Sequence, residues 1–176
     1  MITIAESGMN FGPLKESNLY YIETAPEYRR IQQGTKIAEF IFWKESNNRL
    51  VVLEAKSSLA DFHNSDAFKI QIGYICDKFL NSLDLYLSSA LRRKLPPHME
   101  KIDYNEVEFG FILVIRGYDK DGLRKVKDAI ATRLDQSLRL QKIWTYTICA
   151  INEYQARDRG MLTEDSQTVD SVSFWE

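Results

Sequence analysis

Glu39, Glu54 and Lys56 are the residues whose types and spacing point most directly to chemistry. In Leu50-Val51-Val52-Leu53-Glu54-Ala55-Lys56, strand alternation puts Glu54 and Lys56 on one face. That face begins with Leu50 and Val52, so a charge pair closes a strand that starts apolar. In Lys36-Ile37-Ala38-Glu39-Phe40-Ile41-Phe42-Trp43, Glu39 lies in an almost wholly apolar run and shares its face with Ile37, Ile41 and Trp43. An unpaired buried carboxylate is costly. Glu39 therefore needs a cation: a lysine, an arginine or a metal.

If the two segments pair about the polar turn Glu45-Ser46-Asn47-Asn48, Glu39 and Glu54 fall near one another across a hairpin. Two carboxylates and a lysine on neighbouring strands suit a hard cation. Mg²⁺ or Mn²⁺ is expected, since Mg²⁺ is commonly held by one or two carboxylates with waters and substrate phosphates. The Ala55 carbonyl is a further oxygen ligand in this reading. A metal there would polarise a phosphodiester and lower the pKa of an attacking water. Lys56 would orient that water or stabilise charge on phosphorus. The same residues also have plainer readings: a Glu-x-Lys pair on an exposed strand face, or Glu39 paired with Lys56 in a half-buried salt bridge.

The elements that must position them follow from periodicity. Ile2–Glu6 and Leu19–Glu23 read as short strands, separated by an irregular connection marked by Gly8, Asn10 and Gly12-Pro13. A short helical piece is expected over Pro26–Gln33, ending at Gly34. After the hairpin, Ser65 or Asp66 caps a long helix running to about Arg93. Its apolar stripe is Phe68, Ile72, Ile75, Phe79, Leu83, Tyr86 and Ala90, and Pro96-Pro97 stops it. A strand over Val107–Tyr118, a helix over Asp121–Arg139 with Leu123, Val126, Ile130, Leu134 and Leu138 inward, and a strand over Ile143–Asn152 complete the order. Strands alternating with helices predict an α/β fold: a central mixed sheet whose hairpin carries the site, with helices on its faces.

The chain of 176 residues is read as one domain over 1–157. Residues 158–176 turn polar and read as a flexible C-terminal tail, though Phe174-Trp175 near its end suits a docking peptide. Cys76 and Cys149 lack metal-ligand spacing and read as small apolar residues of a reducing compartment. No basic region followed by an apolar stretch opens the chain, and no apolar run approaches the ~20 residues of a membrane span, so a cytoplasmic protein without a membrane partner is expected. The net charge of −2 argues against a protein that merely coats nucleic acid. Basic clusters at Arg92-Arg93-Lys94 and over Arg124, Lys125, Lys127 and Arg133 read first as solvated helix faces. His63 and His98 sit in loops without a partner serine or cysteine, and no phosphate-binding glycine loop suggests a nucleotide cofactor.

An acid on one strand, a hairpin, then Glu-x-Lys on the next resembles the PD-(D/E)XK nuclease superfamily, with its restriction-endonuclease-like fold. The resemblance covers the core αβββαβ order over about residues 26–152. Glu39 stands as the first acid, preceded by Ala38 rather than proline, and Glu54-Ala55-Lys56 as the second motif. The segments Glu6-Ser7-Gly8-Met9 and Glu54-Ala55-Lys56-Ser57-Ser58 are also similar to small, uncharacterised bacterial members. The resemblance implies Mg²⁺- or Mn²⁺-dependent hydrolysis of DNA, with RNA as a second substrate, in bacterial defence against foreign DNA. Its alternative is an inactive module of the same fold that binds nucleic acid or a protein. Some members add an N-terminal glutamate, a place Glu6 fills. Others use a polar residue on the following helix, where Gln71 and Lys78 border the apolar stripe; Lys78 reads as a phosphate contact. Because one domain offers one site, cutting both strands of a duplex implies a homodimer or a partner subunit.

Overall fold

The computed structural model describes residues 1–31, 34–92, 95, 98–136 and 145–163. Gln33, Arg93, Lys94, Pro96, Pro97, Leu138, Arg139, Ile143, Phe174 and Trp175, named above, lie outside the described residues, as does the tail from 164 onward.

Five strands form one mixed sheet in sequence order: β3 (Leu19–Tyr21), β4 (Phe40–Lys44), β5 (Arg49–Lys56), β6 (Glu108–Ile115) and β7 (Tyr146–Asn152). β3, β4 and β5 are an antiparallel meander, whereas β5, β6 and β7 run parallel. Parallel neighbours need long crossovers. These are α2 (Ser65–Leu91) between β5 and β6, and α3 (Lys120–Asp135) between β6 and β7. A shorter α1 (Pro26–Ile31) lies between β3 and β4. The helices thus interrupt the meander and both parallel steps, so the αβββαβ order expected over 26–152 is not the order seen.

Alternation divides the sheet's residues between two cores. Tyr20, Ile41, Leu50, Val52, Phe111, Leu113 and Ile115 face α2 and α3, where the expected stripes from Ile72 to Tyr86 and from Leu123 to Leu134 are buried. The opposite face carries Leu19, Phe40, Leu53, Ala55 and Val114. It is covered not by long helices but by a hairpin of β1 (Ile2–Glu6) and β2 (Met9–Leu14), with a short α4 (Glu153–Asp158).

β2 corrects the irregular connection expected there. Gly8 is a turn residue, with φ of +73° beside Ser7 at +51°, which is the conformation a tight hairpin needs. A Cβ on Gly8 would also stand 2.9 Å from Arg116 Nη1. The second strand candidate is shorter than expected, because Ile22–Thr24 turn into a single 3₁₀ turn. The cap of α2 is Asn64, whose side chain accepts from the Ala67 N–H, rather than Ser65 or Asp66. Chain packing continues past Asp158: Gly12 donates to the Met161 carbonyl and Thr163 to that of Asn10, with Leu162 buried against β2. Among the described residues no helix is long and apolar enough to cross a membrane.

Candidate active site

Register brings the two acids together. Phe40 pairs with Leu53, so one further step places Glu39 across from Glu54. The strand begins at Phe40 rather than Lys36, yet the Glu39 N–H still donates to the Leu53 carbonyl at 3.0 Å. Glu54 lies on the helix-covered face, as alternation requires, and is fully buried. Lys56 ends the same strand, its side chain one-third exposed, with Nζ 3.0 Å from Glu54 Oε1.

The third group is Lys78 from the middle of α2. Its Nζ straddles the Glu54 carboxylate, 2.8 Å from Oε1 and 3.0 Å from Oε2, and lies 3.7 Å from Glu39 Oε1. Glu54 Oε1 is held by the charge of both ammonium groups without a well-aligned hydrogen bond. Burial works against the charge on Lys78, but the Glu54 carboxylate, with Glu39, outweighs it and holds the lysine pKa above its ordinary value. Glu39 moves the other way from an ordinary carboxylate. Burial and then the Glu54 charge push its carboxyl up from 4.5 to about 7, against the attraction of Lys78 and Lys56. Two acids share positive charge that compensates one of them well and the other poorly.

Glu6, at the end of β1, adds its negative charge near Glu39 and accepts from the Tyr21 hydroxyl at 3.3 Å. Burial, then Glu23 and Glu6, push that hydroxyl up to about 12. Gln71 does not reach the acids. Its Oε1 accepts from the Ala60 N–H at 2.6 Å and so fixes the loop that follows β5. Gln71 nevertheless lines, with Lys56, Ser58, Tyr74 and Lys78, a cleft of about 230 Å³ beside the site. A larger hollow of about 930 Å³ lies between β1 and β3 and shares Tyr21 with the site's edge. Glu16 is the charged residue among its described lining, so it offers no converging set of reactive groups.

The chain matches no protein-family model, no curated protein and no solved structure.

Among the described residues, no group of three or more His, Cys, Asp or Glu side chains is arranged to hold a metal. The donor set near β5 is two carboxylates, Glu39 and Glu54. The Ala55 carbonyl already accepts the Ser7 hydroxyl at 3.0 Å, which leaves its second lone pair. Two carboxylates completed by water and phosphate oxygens suit Mg²⁺ or Mn²⁺ rather than a metal needing a full protein cage. Glu39, whose ion pair with Lys78 is the longest at 3.7 Å while two ammonium groups sit within 3.0 Å of Glu54, is the acid that favours added positive charge here.

Sequence reasoning missed two supports. Ser7 tethers the β1–β2 turn to Ala55, and the buried Ser82 hydroxyl of α2 accepts from the Ala38 N–H at 2.7 Å, one residue before Glu39. Nothing in the spacing of a serine on a helix announces a bond to a backbone N–H 44 residues earlier. Ser82→Ala strands that N–H and is expected to cost about 1–3 kcal/mol. Chemical denaturation checks this; a loss under about 0.5 kcal/mol, the scatter of neutral surface changes, would mean that the N–H finds another partner.

The remaining basic and aromatic groups do other work. Lys125, on the exposed face of α3, rests over the Phe62 ring, and Lys36 over Tyr74. His63 stacks on Phe62. His98 lies 3.3 Å from Glu45 and beside Trp43, at the turn end of the hairpin. Cys76 is buried, but Cys149 is half-buried, with Arg159 Nη1 3.0 Å from its sulfur.

Proposed function

We propose that this protein is a metal-dependent nuclease that hydrolyses phosphodiester bonds in DNA, with Glu39, Glu54 and Lys56 as its working groups. The observation that carries the reading is the pair of carboxylates brought together across the β4–β5 hairpin, one fully buried and the other undercompensated. Two acids face two lysines, so the charges balance in number, but both ammonium groups lie closest to Glu54, and Glu39 keeps only the longer contact of 3.7 Å to Lys78. Here a second, poorly compensated acid is kept beside the first at a cost in stability, which is the signature of a site held for function. The β4–β5 hairpin followed by helix α2 and parallel strand β6 is compatible with the restriction-endonuclease-like fold, although α1 interrupts the meander before it.

Glu39 and Glu54 would hold Mg²⁺ or Mn²⁺, with the Ala55 carbonyl as a third protein oxygen. The ion supplies polarisation of the phosphodiester and a more acidic water. Lys56, at the open end of β5, supplies a positive charge for the attacking oxygen or for the charge that develops on phosphorus. Glu6, which accepts from the Tyr21 hydroxyl, adds negative charge near Glu39 and makes the site more receptive to a cation. A homodimer or a partner subunit would bring a second site to a duplex, and defence against foreign DNA is the setting this chemistry suits.

The test is incubation with linear, circular and single-stranded DNA and with RNA, in Mn²⁺ and in EDTA, beside Glu54→Gln. Metal-dependent cleavage of DNA that Glu54→Gln abolishes is the expected result. Binding without cleavage under every condition would favour a module of the same fold that binds nucleic acid. Neither binding nor cleavage would remove the nuclease reading.

A further inference from the structure

Lys78 occupies the place where the acid pair needs a cation. Its ammonium is the contact that Glu39 and Glu54 have in common, at 3.7 Å and 2.8 Å, whereas the ion pair of Lys56 is with Glu54. A divalent ion held by both carboxylates cannot share that position with an ammonium group, because like charges at such separations repel strongly in a half-buried site. One of them must leave.

We infer that Lys78 is an exchangeable internal counter-ion: it neutralises the acid pair in the metal-free protein and withdraws when a divalent cation enters. The inference rests on the nuclease reading for the identity of the incoming ion, and it changes the role of Lys78 from a fixed phosphate contact at the mouth. The side chain is built for the exchange. It hangs from a rigid helix on a flexible four-carbon stem, is one-fifth exposed, and lines the cleft that also holds Lys56, Ser58, Gln71 and Tyr74. Swung into that cleft, its charge faces the space beside Lys56 where a phosphate would lie. Metal entry would thus both complete the acid site and free a cation for the substrate. In the absence of metal, the same lysine shares its charge between Glu39 and the buried Glu54.

Two measurements test this. In calorimetric titrations with Mn²⁺ at pH 8, Lys78→Gln is expected to bind the ion about tenfold or more tightly than the unaltered protein, because no ammonium has to be displaced, a difference worth 1.4 kcal/mol. Unchanged or weaker binding overturns the exchange, and tighter binding joins with the labelling below to separate a lysine that withdraws from one that repels the ion in place. Should Lys78→Gln fail to fold, the unaltered protein still decides. A brief pulse of an amine-acetylating reagent, read by peptide mass analysis, should label Lys78 several-fold faster in Mg²⁺ than in EDTA. Exposed Lys36 and Lys125 serve as references that do not change. Labelling of Lys78 that stays equal or slows in Mg²⁺ overturns the inference. If the unaltered protein gives no heat with Mn²⁺, the nuclease reading falls and this one with it. If it binds Mn²⁺ while Lys78 behaves alike with and without metal, the exchange alone is lost.

Discussion

Glu39→Gln should make the metal-free protein more stable at pH 8, leave its stability near pH 4.5 almost unchanged, and abolish cleavage. The sign follows from proton linkage. The Glu39 carboxyl titrates at about 7 in the folded protein against 4.5 as a free group, so the folded chain binds more protons between those values. Stability therefore falls as pH rises from about 4.5 to about 7 and then levels off. At 1.36 kcal/mol per pH unit the loss is at most roughly 3 kcal/mol. Glutamine keeps the shape of the neutral acid and carries no charge, so it escapes that loss. The gain in melting temperature should open with pH, reaching roughly 6–12 °C at pH 8 if the full effect is realised, at about 2–4 °C per kcal/mol for a chain of this size. Thermal unfolding of both proteins across pH 4.5–8 in EDTA is the measurement. A variant that is less stable at pH 8 and still cleaves would sink the catalytic assignment of Glu39.

The meeting of Glu39 and Glu54 was legible in the sequence because two local rules agreed. Alternation put Glu54 and Lys56 on the face shared with Leu50 and Val52, and a polar four-residue turn set the register that places Glu39 opposite Glu54. Lys78 was legible only as a polar neighbour of an apolar stripe, a description it shared with Gln71. Which of the two meets the acids depends on how α2 lies across the sheet. That is a matter of tertiary packing, and one helical face offers both residues. The result separates them sharply: Gln71 holds the backbone of the loop after β5, and Lys78 holds the carboxylates.

The N-terminal hairpin was hidden for a different reason. Gly8, Gly12 and Pro13 read as breaks, although Ser7-Gly8 is a fitting two-residue turn and Met9 and Phe11 alternate inward as a strand requires. α4 was likewise masked by its length of six residues, even though Asn152 and Gln155 form a capping box that marks its start. In both cases a signal existed and a louder one, glycine and proline or sheer polarity, covered it. The consequence reaches the site. Without the hairpin there is no Ser7 on Ala55 and no Glu6 beside Glu39.

Lys56→Ala is expected to lower cleavage by roughly two or more powers of ten, as for loss of a charge-stabilising group, while costing only about 1 kcal/mol of stability or less. Taken alone, a lysine 3.0 Å from a fully buried carboxylate suggests a far larger destabilisation, about 3–5 kcal/mol for breaking a buried pair. Lys78 removes that expectation. It remains on both oxygens of Glu54 when Lys56 is gone, so the buried charge is never left bare. The one-third exposure of Lys56 also lets water screen what its ammonium contributes. Lys78→Ala reverses the pattern. It removes the contact common to Glu39 and Glu54 and leaves Glu54 with Lys56 alone, so a stability loss larger than that of Lys56→Ala should fall there, in metal-free protein. In the metal-free protein Lys78 thus carries more of the stability, while Lys56 serves the reacting phosphate, which Lys78 joins only once metal has displaced it. Denaturant unfolding in EDTA, paired with cleavage rates in Mn²⁺, reads both quantities on the same proteins. Lys56→Ala that unfolds 3–5 kcal/mol more easily and cleaves at the normal rate would reduce Lys56 to a salt-bridge partner and leave the site without its charged group.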